Sequence, residues 1–171
     1  MLMEKLMRMM TWMAAVASVL LVAAGGWAED EKVALDKLPK ALVDAIKAKF
    51  PKAELKEAEK EKADGKTKYE VTIKDGESKI DVDVTEDGTI TGYEKALALK
   101  DVPKVVSDAV AAKHPKGTAK TAEVVYTVKD GKDTLAYYEV TVEVDGKKHE
   151  VEVLPDGKLK PEGKKEEKND K

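Results

Sequence analysis

One stretch of this chain occurs twice, and it constrains the fold more than any other feature. Residues 69–90 read YEVTIKDGESKIDVDVTEDGTI, and residues 138–159 read YEVTVEVDGKKHEVEVLPDGKL. Each is an alternating segment, a Gly-containing turn, a second alternating segment and an Asp-Gly turn. A period of two sends Tyr69, Val71 and Ile73 to one face and Glu70, Thr72 and Lys74 to the other. Asp-Gly between such runs marks a hairpin, because tight primed turns need positive φ, which Gly adopts at little steric cost.

The segment ahead of each hairpin is also doubled. Residues 33–52, VALDKLPKALVDAIKAKFPK, and residues 97–116, LALKDVPKVVSDAVAAKHPK, share ten of twenty residues at an offset of 64. Register-preserving identity at that level signals an internal repeat. Leu38, Leu42, Ile46 and Phe50 recur every four residues and trace one face of a helix. Pro39 suits the first turn, where its missing N–H has no partner. Pro51 ends the helix and pushes Phe50 out of helical geometry. Residues 53–64 carry mixed propensity, and the following Gly65 turn makes them the first strand of a hairpin with Tyr69. A short strand is expected at 90–93. The hairpins align at an offset of 69, so the second copy has a longer first hairpin, 118–130 with 134–144. The fold class that follows is α+β: two tandem repeats, residues 33–95 and 97–160, each one helix packed on a three- to four-stranded antiparallel sheet.

The ends are different in kind. Met1–Met10 carries Lys5 and Arg8, residues 11–24 are apolar (TWMAAVASVLLVAA), and small residues precede Glu29. That is the layout of a secretory signal peptide over residues 1–28. The run is short for a membrane span, which needs about 20 apolar residues, so a retained anchor is the weaker reading. Residues 161–171, PEGKKEEKNDK, have nothing apolar to bury and read as a disordered charged tail. The chain has no Cys, which excludes a lipid-anchoring cysteine, disulfides and thiolate metal sites. Acidic and basic residues nearly balance, with a formal net charge of −3, and the lysines lie dispersed among acids. Neither nucleic acid nor an anionic membrane is an expected partner. Aromatics make up only 5% of the chain, so any core must be built mainly of Val, Ile, Leu and Ala.

The order of motifs resembles the PepSY-like family, which includes β-lactamase-inhibitor-like domains. The residues that carry the resemblance are Leu38-Pro39, Pro51, Tyr69-Glu70-Val71, Val82, Val84 and Asp87-Gly88, with Val102-Pro103, Pro115, Tyr138-Glu139-Val140, Val151, Val153 and Asp156-Gly157 in the second copy. The resemblance implies a helix on an antiparallel sheet in each copy and an extracytoplasmic protein that binds or restrains secreted enzymes. The disulfides of the well-known lactamase inhibitors cannot exist in a chain without Cys.

Catalysis would need a nucleophile within reach of a base. The candidates are Ser78, Ser107, His114 and His149. Ser78 falls in a turn and Ser107 on the second helix. His114 takes the place of Phe50 at a helix end, and His149 takes the place of Ile80, which makes it a half-buried structural residue. An enzyme is not expected. Glu70, Asp81, Asp83, Glu139, Glu143, Glu150 and Glu152 fall on outward strand faces and could meet a hard cation such as Ca²⁺. No loop has the spacing of a dedicated calcium site, and acids opposite lysines ordinarily form a solvated face. No metal or cofactor is predicted. The expected binding surface is the set of outward positions Glu70, Thr72, Asp81 and Asp83 with Glu139, Thr141, Glu150 and Glu152.

These readings describe a secreted or periplasmic non-catalytic binding module, an inhibitor or regulator of an extracytoplasmic enzyme such as a peptidase. It would be free of the membrane once the signal is removed. The rival reading is a cation-binding or envelope protein that uses its acidic face and has no protein target. An anchored structural protein is a third.

Overall fold

The computed structural model describes residues 31–63 and 66–161; the expected signal peptide and nearly all of the expected tail lie outside the described residues. The chain runs β1 (Glu31–Lys32), a 3-10 turn (Leu35–Lys37), α1 (Lys40–Lys49), β2 (Ala53–Ala63), β3 (Lys66–Asp75), β4 (Ser78–Thr85) and β5 (Ile90–Leu97). It continues through a second 3-10 turn (Leu99–Asp101), α2 (Lys104–Lys113), β6 (Thr118–Lys129), β7 (Lys132–Val144) and β8 (Lys147–Val153).

The eight strands form one antiparallel sheet in chain order. This corrects the expected architecture of two repeats that each carry a small sheet of their own. The joining step is β5 against β6, paired from Gly92↔Thr127 to Leu97↔Ala122. Two physical causes combine. Strand β5 is not the short strand expected at 90–93 but continues to Leu97, and β6 is long enough to lie beside it. Had the two sheets stayed apart, β5 and β6 would each present a row of unpaired N–H and C=O groups, and pairing satisfies both rows.

Local chemistry sets the elements. Asp130–Gly131 and Asp145–Gly146 both have positive φ at each residue, the geometry of type I′ hairpin turns. Gly88 has another task. Its φ is +87°, and a Cβ there would lie 2.7 Å from the Ala41 carbonyl oxygen, so the turn after β4 seats directly on α1. Each helix opens after a proline, Pro39 or Pro103, and each ends two residues before the next, at Lys49 or Lys113. Phe50 (φ −122°, ψ 80°) and His114 (φ −130°, ψ 75°) have left helical geometry, as a following proline demands. Residues 53–63 are strand despite their helix-forming Glu, Lys and Ala content, because β3 offers them a partner over their whole length.

Both helices cover the same face of the sheet. The register Ile80↔Lys95↔Val124↔Tyr138↔Val153 runs from the core beneath α1 to the core beneath α2 without changing face. Leu42 and Ile46 pack on Val71, Ile73, Ile80, Val82 and Val84. Val106 and Val110 pack on Val140, Val142, Val151 and Val153. Ile46 and Val110, expected to face the sheet, are both buried. Between the two cores lies a seam. The Phe50 ring meets Tyr93 edge-on at 5.5 Å, and Tyr93 stacks on Tyr126 at 4.8 Å. Lys49 Nζ lies 2.5 Å from Asp133 in the β6–β7 hairpin, and the Tyr93 hydroxyl donates to the same carboxylate at 3.0 Å. The last turn of α1 is thus tied to the second hairpin.

Candidate functional site

Both helices lie on one face; among the described residues no helix covers the other, and all eight expected binding positions lie on it. Alternation puts them there, and the register brings them into rows. Glu59, Glu70 and Asp83 are cross-strand partners on β2, β3 and β4. Thr72, Asp81 and Glu94 follow on β3, β4 and β5. Glu123, Glu139 and Glu152 form the third row on β6, β7 and β8, and Thr121, Thr141 and Glu150 the fourth. The expected quartets are therefore parts of one surface. Glu94 and Glu123, which the sequence reading passed over, bridge them: Glu94 pairs with Val125 and Glu123 with Ala96, so they are diagonal neighbours across the β5–β6 junction. The available signal was their alternation with Tyr93 and Val124, but it acquires meaning only once β5 and β6 are known to pair.

Like charges set directly opposite one another raise the cost of ionisation. Burial and the carboxylates of Glu139, Glu123, Glu70 and Asp83 push Glu94 up to about 8. Burial, with Glu150, Glu123 and Glu152, pushes Glu139 up to about 7. Glu70 is raised to about 7 by burial and by Asp81, Asp83 and Glu59; it is the most exposed of the three, and water offsets part of that effect. Some acids are compensated. The Thr72 hydroxyl donates to Asp81 Oδ1 at 2.6 Å, and Lys79 Nζ lies 2.7 Å from Asp81 Oδ2. Lys160 Nζ lies 2.8 Å from Glu152 Oε2 and 3.7 Å from the centre of the Tyr137 ring. Among the described residues, no three acid or His side chains converge closely enough to hold a metal ion. The carboxylates form a field rather than a cage.

The residues weighed for catalysis lie elsewhere. Ser107 Oγ donates to the Lys104 carbonyl of its own helix at 3.0 Å. Ser78 opens β4 instead of sitting in the turn. His114 and His149 stand together on the helix side, ring centres 5.2 Å apart. His149 is exposed, not half-buried: the first four residues of β8, Lys147–Glu150, are all exposed, and the strand enters the core only at Val151. His114 also borders a cleft of about 150 Å³ between α2 and the sheet, lined by Leu99, Val102, Val110, Gly117 and Val142 among others.

Residues 19–92 match the model of the PepSY-like family, described as beta-lactamase-inhibitor-like. No curated protein matches the chain. Its fold is similar to that of a BLIP-like protein from Bacteroides fragilis, at a TM-score of 0.56 and 19% identity over 74% of this chain and 85% of that one. A candidate periplasmic protein from Bacteroides eggerthii is similar at a TM-score of 0.57 and 18% identity, over 71% and 85% of the two chains. A DUF2874 family protein from Bacteroides uniformis is similar at 0.56 and 17%, over 71% and 85%.

Proposed function

We propose that this chain is a periplasmic, non-catalytic module that binds a protein partner on the open face of its sheet and restrains an extracytoplasmic enzyme such as a peptidase. The observation that carries the reading is the division of labour between the faces. Among the described residues both helices and both core clusters lie on one side, and the other side carries no helix and presents mostly polar side chains, with Val125 and Tyr137 set among them. A rigid sheet face presents such side chains at fixed spacing, which favours recognition at low ordering cost. The periplasmic assignment draws support from the signal-like residues 1–28, from the family match and from the description of the Bacteroides eggerthii protein. Among the described residues no helix is long and apolar enough to cross a membrane.

The test is charge reversal. Glu139→Lys with Glu150→Lys alters the face and leaves the core untouched, and because it removes two carboxylates from a crowded acidic row it should not lower stability. Binding to a panel of purified extracytoplasmic peptidases, and inhibition of them, should weaken while the melting temperature does not fall. Unchanged binding by the double variant would move the function to the helix side. A wild-type melting temperature that rises with calcium, lost in the variant, would support the cation-binding alternative instead.

A further inference from the structure

We propose that the open face docks a lysine- or arginine-rich segment of its partner, and that the Tyr137–Glu152 corner is the ammonium site that anchors it, held in the free chain by Lys160. The inference rests on the binding role of the sheet face and names the chemistry of the partner. Residues 159 and 160 run back along β8: Val153 bridges Leu159, and the Lys160 N–H donates to the Glu152 carbonyl at 3.0 Å. The Lys160 side chain then turns over the open face, with its ammonium 3.7 Å from the Tyr137 ring centre and 2.8 Å from Glu152 Oε2. An aromatic face beside a carboxylate is a general recognition element for organic cations. Here a cation from the chain itself occupies it.

Charge complementarity decides the occupant. From this corner the carboxylates continue through Glu139, Glu123 and Glu94 to Asp83 and Glu70. The ion pairs on this part of the face go to Asp81 and Glu152, and among the described residues none reaches Glu94, Glu123 or Glu139. A second copy of the same face would bring acids against acids, and an anionic lipid or nucleic acid would be repelled. A divalent cation lacks a converging ligand set among the described residues. A segment with several Lys or Arg side chains meets the acids one after another and places one cation on Tyr137 in competition with Lys160.

The test uses the full chain, fluorescently labelled oligolysine and oligoarginine peptides, an oligoglutamate control, and binding read by anisotropy. Lys160→Ala removes the internal competitor and should tighten basic-peptide binding roughly two- to fivefold. Tyr137→Leu should weaken it by a similar factor, and Tyr137→Phe, which keeps the ring, should bind like the wild type. Thermal melts establish that each variant is folded. Two results would overturn the inference: Lys160→Ala binding no tighter than wild type, or Tyr137→Leu binding as well as Tyr137→Phe. Calcium displacing the peptide at equal ionic strength would also overturn it, in favour of a metal. Failure of the underlying reading looks different. Wild-type peptide affinity in the Glu139→Lys, Glu150→Lys variant would exclude the sheet face altogether. A protein partner lost on that charge reversal but indifferent to Lys160 and Tyr137 would sink the ammonium site alone.

Discussion

The cores under α1 and α2 use matching positions and fill them differently. Leu42 and Ile46 on the first helix stand where Val106 and Val110 stand on the second, and Ile73 stands where Val142 does. Phe50, which closes the first core against Tyr93, is replaced by His114, and Ile80 by His149. Every exchange removes apolar volume from the second half. Both helices are tied to the sheet by turns that seat on them, Gly88 on Ala41 and Gly157 on Val105, which limits how far the second helix can settle onto its smaller core. The difference remains as the cleft beneath α2. The lesson is that helix placement here is set by turns and prolines, and side-chain volume then decides how well each core is packed.

The sharpest way to break this comparison is truncation in both cores. Ile46→Ala should cost about 2–5 kcal/mol, since the site is fully buried and tightly surrounded. Val110→Ala should cost about 1.5 kcal/mol, because two methyl groups are lost beside a cleft that already exists. Denaturant titration measures both, and equal losses would mean that the two cores are equally packed. The seam comes next. Tyr93→Leu removes two aromatic contacts and should cost about 1–3 kcal/mol. It should also separate the unfolding of the two halves in calorimetry; a single sharp transition of unchanged midpoint would show that the β5–β6 ladder alone couples them.

Filling the cleft should act in the opposite direction. Val110→Ile is expected to stabilise by about 0.5–1 kcal/mol, whereas adding a methylene to the first core should not. A loss of stability in Val110→Ile would show that the cleft cannot accept it. The open face is tested through pH. Glu94 ionises in the unfolded chain near 4.5 but in the folded protein only near 8, so the folded state holds a proton that the unfolded state has released. Stability should therefore fall as pH rises from about 4.5 through about 8, and Glu94→Gln should flatten that slope. Glu139 and Glu70, both raised to about 7, add to the slope in the same direction. A melting temperature that is constant across this window would mean that water screens the carboxylates from one another.

Much of this was legible in the sequence. Alternation placed Glu70, Asp81, Glu139 and Glu150 away from the core, the Asp-Gly pairs marked turns, and the four-residue rhythm from Leu38 to Phe50 marked the helix face. These are local properties, decided by a few consecutive residues and their dihedral preferences. His149 was expected to be half-buried because alternation assigns it the core face, but where along β8 the core begins, at Val151, is a tertiary property. Tyr93 and Tyr126 were passed over because stacking depends on cross-strand register, which the spacing of either residue in its own strand does not reveal.

What the sequence determined by itself is therefore the set of pieces: which residues turn, which face each side chain takes, and where each helix must stop. Tertiary structure alone decided that β5 pairs with β6, and with that, that there is one sheet and not two. The same pairing joined two separate acid quartets into one field through Glu94 and Glu123, and brought Lys49 to Asp133. The physical reason is that a strand edge carries no address. Its N–H and C=O groups pair with whichever free edge the rest of the chain brings alongside, and that choice depends on strand length and on the packing of both helices, not on the strand's own residues.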